Sequence, residues 1–293
     1  MSQPFSPAAA GPPRLKILTW NMWMMPWFTF QSPRNRQRSA AIADELLKQD
    51  FDILCLEKSF DGGARDVLTK ALGARYPYRY GPANSGFSLK VNSGVWILSR
   101  FPLSNYHEIQ FRDCAAIECF SRKGALMLTG EFQGHRFQII ATHLQGEEGA
   151  VYTPEHQQIR DRQMTQIRNE LVARYGTQGV PLFLCGDFDT PRQGKSNPPR
   201  ETDGYRFILN TFGGPQNHSD YFITLDDTCA HNDLAMTNTG RTDELDYILV
   251  RPNGAALRTE WIRLILRHAG WDGPQGRQSL SYRYAVGASI EFQ

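Results

Sequence analysis

No apolar run in the chain approaches the ~20 residues that a bilayer-spanning helix needs, which excludes a helical membrane protein. Charge of one sign is also scarce: 32 Lys and Arg face 30 Asp and Glu. A net charge of +2 gives no general affinity for nucleic acid or anionic membrane, so any phosphate recognition must be local. No basic stripe interleaved with aromatics is present beyond the scattered Arg258, Arg263 and Arg267, so nucleic acid is not an expected partner. The cysteines form no framework either. Cys55, Cys114, Cys119, Cys185 and Cys229 are odd in number and mostly sit in apolar runs, and they read as reduced core residues. Cys114 and Cys119 leave open a surface disulfide or metal pair, although no His or second Cys cluster accompanies them. Residues 1–13 lack a charged segment followed by an apolar one, and they read as a disordered tail on a cytoplasmic protein whose single domain covers 14–293.

What is present is an alternation of strands and helices. Leu15–Trp20 and Asp52–Leu56 are short apolar runs, with apolar residues at helical spacing between Arg34 and Lys48 and again from Ala64 to Gly73. Gly94–Ser99, Ala125–Phe132 and Phe137–Thr142 predict strands, the last two joined by a Gln133-Gly134 turn. A long helix is expected over Thr153–Arg174, then strands at Pro181–Cys185, Leu245–Val250 and Ala285–Phe292. Pro191–Asp203 reads as loop, and Leu257–Gly270 as a partly apolar, Arg-rich segment. The pattern predicts one α/β or α+β domain with helices outside sheet.

Three strands run apolar and end on a polar group: Asn21, His143 and Asp187. In α/β sheets such ends line the ligand crevice. Asp246 opens another strand among apolar neighbours, where a carboxylate needs a partner. Each taken alone reads first as a cap or turn residue, the commonest job of Asp and Asn.

Their joint order, Trp20-Asn21, an acid after Asp52-Ile53-Leu54, Ser93-Gly94-Val95, Thr142-His143, Gly186-Asp187-Phe188 and Leu245-Asp246-Tyr247, resembles the endonuclease/exonuclease/phosphatase superfamily. Phe60-Asp61, Tyr76-Pro77, Ser121-Arg122-Lys123-Gly124, Leu144-Gln145, Arg160 and Gln163 are similar to its bacterial-type neutral sphingomyelinase branch. The resemblance implies a DNase I-like four-layer αββα sandwich, two mixed sheets packed face to face, with a phosphodiesterase site at one edge. It also implies phosphate or metal contact for Asn21, phosphate stabilisation for His143, water activation for Asp187 and an orienting role for Asp246.

The chain departs from that pattern at four positions. Lys58 stands where the family places a metal-binding Glu, and Glu57, one residue earlier, is expected to point to the opposite face of its strand. Asp189 replaces an Asn, and Tyr282 and Arg283 replace the family's Asp and catalytic His. The pairings give the pocket a net gain of three positive charges. An ammonium and a guanidinium can grip a phosphate directly, so Lys58, Arg283, Asn21 and His143 are the expected phosphate-binding residues and no metal is expected. Asp246 is expected to pair with Arg283. If a metal binds, its ligands would be Asn21, Glu57, Asp187 and Asp189 around Mg²⁺.

The loop after Asn21 is dense in Met and aromatics, and Trp23, Trp27 and Phe28 are candidate walls of an apolar substrate pocket. The expected ligand is a small amphipathic phosphate or diphosphate ester, with transient membrane contact. Three functions compete. The first is metal-free acid–base, lyase or cyclase chemistry on Asp187, Asp189, His143 and Asp246, since Asp187-Phe188-Asp189-Thr190 looks like the Asp-x-Asp-Thr motif of class II terpene cyclases. The second is a Mg²⁺-dependent phosphodiesterase, and the third an inactive phospholipid- or protein-binding relative.

Overall fold

The computed structural model describes residues 11–26, 34–147, 152–226, 240–271 and 278–293. The sheets show why the sequence reads as it does. Alternate residues of a strand face opposite sides, so a strand buried on both faces reads as a continuous apolar run. β1 (Arg14–Met24) sends Leu15 and Ile17 to one side and Leu18, Trp20, Met22 and Met24 to the other. β2 (Ile53–Ser59) divides Ile53 and Cys55 from Leu54 and Leu56 in the same way.

Two sheets result. The first has six strands, completed by β3 (Tyr78–Tyr80), β4 (Trp96–Ser99), β12 (Leu257–Leu264) and β13 (Ala285–Phe292), in the order β12-β13-β1-β2-β4-β3. The second comprises β5 (Leu103–Gln110), β6 (Gly124–Phe132), β7 (His135–His143), β8 (Leu182–Asp187) and β11 (Asp246–Arg251), in the order β11-β8-β7-β6-β5. Between them lies a core that includes Ile17, Cys55, Ile97, Leu128, Phe137, Ile139, Phe183, Ile248 and Ile290. Helices α1 (Asn35–Lys48) and α2 (Gly62–Leu72) cover the outer face of the first sheet. Helices α3 (Pro154–Ile167) and α5 (Asp203–Thr211) cover the second. The expected αββα sandwich is therefore the observed fold.

Each sheet contains one parallel pair joined through a helix, β1-α1-β2 and β7-α3-β8, and the remaining neighbours within the two sheets are antiparallel. At the ends of those pairs Asn21 lies opposite Glu57, and His143 opposite Asp187. The sequence motifs fix the neighbouring loops. Asp61 caps α2 by accepting from Ala64 N at 3.0 Å, and accepts from Asn35 Nδ2 at 3.0 Å as well. Arg160 on α3 is fully buried and donates to Gln145 O at 3.1 Å, while Gln163 accepts from Gln145 N at 2.8 Å. Both hold the chain just beyond His143.

Several expectations change. The long helix over 153–174 is α3 followed by a π-turn at Arg168–Val172 and the short α4 (Ala173–Tyr175). The Arg-rich segment forms an edge strand, β12, whose exposed face carries the charges. The segment just after Asn21 continues β1 to Met24 instead of forming a loop, with Met22 and Met24 buried in the core. Cys114 and Cys119 form a disulfide with Cα atoms 5.3 Å apart, correcting their reading as reduced core residues, while Cys55 and Cys185 are free and buried. Cys229, Trp27, Phe28 and most of the expected tail lie outside the described residues.

Candidate active site

The inter-sheet core turns polar at one end. Residues 15, 17, 53, 55, 139, 141, 183, 185, 248 and 250 all face it, and the same alternation carries inward Thr19, Asn21, Glu57, His143, Asp187 and Asp246, each essentially without solvent exposure. Buried polar groups demand partners. Asp187 accepts from Asn21 Nδ2 at 2.7 Å and from Asp189 N at 3.0 Å. Gly186 lets the two strands approach this closely, since a Cβ there would stand 2.0 Å from Thr142 O.

Arg283 enters from the loop before β13. Its carbonyl accepts from Trp20 Nε1 at 3.0 Å, and Ser281 Oγ, which bonds Asn21 O, accepts from Arg283 N at 3.2 Å. So anchored, its guanidinium reaches Asp189 Oδ1 at 2.8 Å, Asp246 Oδ2 at 3.1 Å and Asp187 Oδ2 at 3.3 Å. Asp246 therefore does pair with Arg283, which stays protonated because these carboxylates and Tyr282 outweigh its burial.

Lys58 and Glu57 take separate paths. Lys58 has a left-handed backbone, φ 50°, which takes its side chain out of the strand's alternation. Its Nζ donates to Tyr282 Oη at 2.8 Å and lies over that ring, 5.0 Å from the centroid. Burial disfavours its charge, but Tyr282, Glu118 and Asp189 raise its pKa overall. Glu57 instead accepts from Thr19 Oγ1 at 2.8 Å, and its second oxygen has no hydrogen-bond partner. Burial, with Cys55, Asp246 and Asp187 nearby, pushes its carboxyl well above the usual range.

His143 Nε2 lies 3.6 Å from Asp189 Oδ2 and 3.9 Å from Asp187 Oδ2. Burial and the Lys123 charge lower its pKa, leaving the neutral imidazole that metals and phosphates engage. Two residues beside it, Lys123 and Glu118, were not among the expected site residues, although Lys123 stands in the Ser121-Arg122-Lys123-Gly124 motif. Lys123 is buried, with Nζ 3.0 Å from His143 Nε2, donating to Leu144 O at 2.6 Å and paired with Glu118. Burial lowers the Lys123 pKa, whereas in Glu118 the Lys123 and Lys58 charges help overcome burial and lower it. The signal in sequence was the Lys123-Gly124 step: a Cβ on Gly124 would stand 1.9 Å from Ile109 O, so the start of β6 after Lys123 is pressed against β5.

Burial raises the pKa of Asp189, but the Arg283, His143 and Lys123 interactions hold it well below the usual carboxylate range. An ionised Asp189 cannot supply the proton that a cyclase motif requires of it. Asp246 is the opposite case: burial and the Asp187 charge outweigh Arg283 and raise it well above that range.

One ligand atom from each of His143, Asp187 and Asp189 lies within 4.8 Å of the others, all three residues being buried. A neutral imidazole and two carboxylates suit a divalent cation. Asn21 touches this group through Asp187, while Glu57 bonds Thr19 outside it.

A family model described as the endonuclease/exonuclease/phosphatase family matches residues 18–267. The chain belongs to that family. A phospholipase C of Staphylococcus aureus is 22% identical over 187 residues, 60% of this chain and 57% of that protein. A sphingomyelinase C of Leptospira interrogans is 28% identical over 200 residues, 60% of this chain and 34% of that one. The chain thus matches less than two thirds of the length of these relatives. The crystal structure of SmcL superposes with a TM-score of 0.82 at 20% identity, covering 95% of this chain and 99% of that one. A Staphylococcus aureus beta toxin mutant with bound magnesium ions superposes with a TM-score of 0.77 at 20% identity, covering 95% and 99%. The expectation of a site without metal is overturned by the buried His-Asp-Asp group and by the magnesium in that neighbour.

Trp23 packs edge-on against Tyr282, ring centroids 5.6 Å apart, beside the Lys58 ammonium. It is half-buried.

Proposed function

We propose that this protein is a Mg²⁺-dependent phosphodiesterase of the sphingomyelinase type, hydrolysing the phosphate ester of a lipid-like substrate. The observation that carries the reading is the meeting of Asn21, His143, Asp187 and Asp189 with Arg283 at one polar end of the inter-sheet core. Family membership and the phospholipase C and sphingomyelinase C relatives support the same chemistry.

His143, Asp187 and Asp189 would hold the cation, which supplies charge neutralisation for the phosphate and a more acidic bound water. The chain's own groups do the rest. Asp187, oriented by Asn21 and the Asp189 amide, is placed to accept a proton from attacking water. Arg283 and Lys58 present donors that do not depend on the cation and suit phosphate oxygens. Asp246 holds Arg283 from behind, its carboxyl raised well above the usual range by burial and the Asp187 charge. A metal-free lyase or cyclase role loses its footing, because Asp189 is ionised and its partners are those of a cation site.

The test is hydrolysis of sphingomyelin in detergent micelles and of bis(p-nitrophenyl) phosphate, with Mg²⁺ and with EDTA. Turnover that needs Mg²⁺ and falls at least ~100-fold in Asp187→Asn is expected. Turnover undiminished in EDTA, or none on either substrate with Mg²⁺, overturns the reading.

A further inference from the structure

Phe87, Leu89, Ile117 and Phe120 are large apolar side chains that stand in solvent, 105%, 104%, 68% and 73% exposed. They belong to two segments of chain joined into one lip. Val91 N donates to Phe120 O at 3.1 Å, Arg122 N to Val91 O at 2.9 Å, and the Arg122 guanidinium to Gly86 O. The Cys114–Cys119 disulfide closes the 3₁₀ turn Ala116–Phe120 that carries half of the lip.

The same turn reaches the active site. Glu118 points inward to Lys123, which contacts His143, while Ile117 and Phe120, on either side of it, point outward. A surface that shows four such side chains within a few residues of the reacting groups needs an apolar phase to cover it. Its charge says which one. Lys90 and Arg112 are exposed on the lip and Arg122 is half-buried beside them. Behind the turn, Lys90, Arg112 and the buried Lys123 line a cavity of about 350 Å³ together with Gln145 and Gln163. The nearby acids are engaged: Asp113 with Arg162, Glu118 with Lys123, Glu170 with Arg112.

We infer that this lip is a docking surface for an anionic lipid bilayer, with Phe87, Leu89, Ile117 and Phe120 entering the interface and Lys90 and Arg122 facing lipid phosphates. The inference extends the proposed hydrolysis of a lipid phosphate ester, since the lip would bring the site to the plane where such substrates reside.

The experiment compares the full chain with the Phe87→Ala/Leu89→Ala/Ile117→Ala/Phe120→Ala variant. Co-sedimentation uses vesicles of phosphatidylcholine and vesicles containing about one-third phosphatidylserine. The chain is expected to bind the anionic vesicles and the variant at least ~10-fold more weakly, while both hydrolyse soluble bis(p-nitrophenyl) phosphate equally. Retained vesicle binding by the variant overturns the assignment, as does equal binding of the full chain to both vesicle types. So does a dimer in light scattering that the variant turns to monomer, because the lip would then be covered by a second copy. Loss of vesicle binding in the variant with no phosphodiesterase activity in either protein leaves the docking surface standing and removes the enzymatic reading alone.

Discussion

Arg283 Nη2 stands 2.8 Å from Asp189 Oδ1, a buried ion pair that ties the loop before β13 in one sheet to the loop after β8 in the other. The guanidinium also reaches Asp187 and Asp246, so one cation bonds three carboxyl groups that would otherwise crowd one another.

Replacing Arg283 with Ala leaves that acid group without its cation. Removing one partner from a buried pair costs roughly 3–5 kcal/mol. Urea unfolding in EDTA should show a loss of that order in Arg283→Ala, with part of it regained when Mg²⁺ is added, because the ion takes over neutralisation of Asp187 and Asp189. A loss that Mg²⁺ does not touch would place the ion elsewhere.

Lys58 brings a positive charge to a site that would receive another. Lys58→Glu changes the local charge by two units and is expected to tighten Mg²⁺ binding by at least ~10-fold, read by calorimetry. Unchanged affinity would mean that the ammonium lies beyond the ion's field.

Glu57 gives a pH prediction. Its carboxyl is pushed well above the usual value by burial, with Cys55 and neighbouring acids contributing. A group raised in the folded state stabilises below its unfolded pKa of about 4.3, and that contribution is lost as pH rises toward the folded value. Gln matches the protonated acid and still accepts from Thr19. Glu57→Gln should therefore match the wild type in thermal unfolding near pH 3 and exceed it at pH 8; equal stability at both would show that Glu57 does not titrate differently on unfolding.

The Cys114–Cys119 bond closes a loop of sequence separation 5. Chain-entropy arithmetic for so short a loop gives about 2 kcal/mol. Cys114→Ser/Cys119→Ser should lose roughly that in unfolding free energy. Its activity on micellar lipid should fall more than its activity on a soluble phosphodiester, since Phe120 is displaced along with Glu118.

Much of this was legible in sequence because it depends on alternation. Strands buried on both faces announced themselves as apolar runs, and their last inward residues, Asn21, His143 and Asp187, followed by parity. The placement of Lys58 required more than parity, since its left-handed φ alone separates it from that rule. The edge strands β5 and β12 were unreadable because their outer faces meet solvent and carry polar residues. Lys123, legible only within the Ser121-Arg122-Lys123-Gly124 motif, and Glu118 become site residues through long-range contacts with each other and, for Lys123, with His143. The error over metal came from adding charges position by position. Arg283 and Lys58 do bring positive charge, but Arg283 is matched against Asp187, Asp189 and Asp246, and Lys58 lies against Tyr282 to one side.

The order of strands carries a further consequence. The first sheet is begun by β1 to β4, the second is then built, and β12 and β13 return to complete the first. Arg283 arrives with that return, 263 residues after the Trp20 indole that anchors it. Until β13 lies beside β1, the acids at the end of β8 and β11 face one another without their guanidinium. The candidate site is thus assembled from two distant stretches of sequence: Asn21 on β1 and Arg283 ahead of β13 both reach Asp187, so pairing of the returning strand with β1 completes its charge balance.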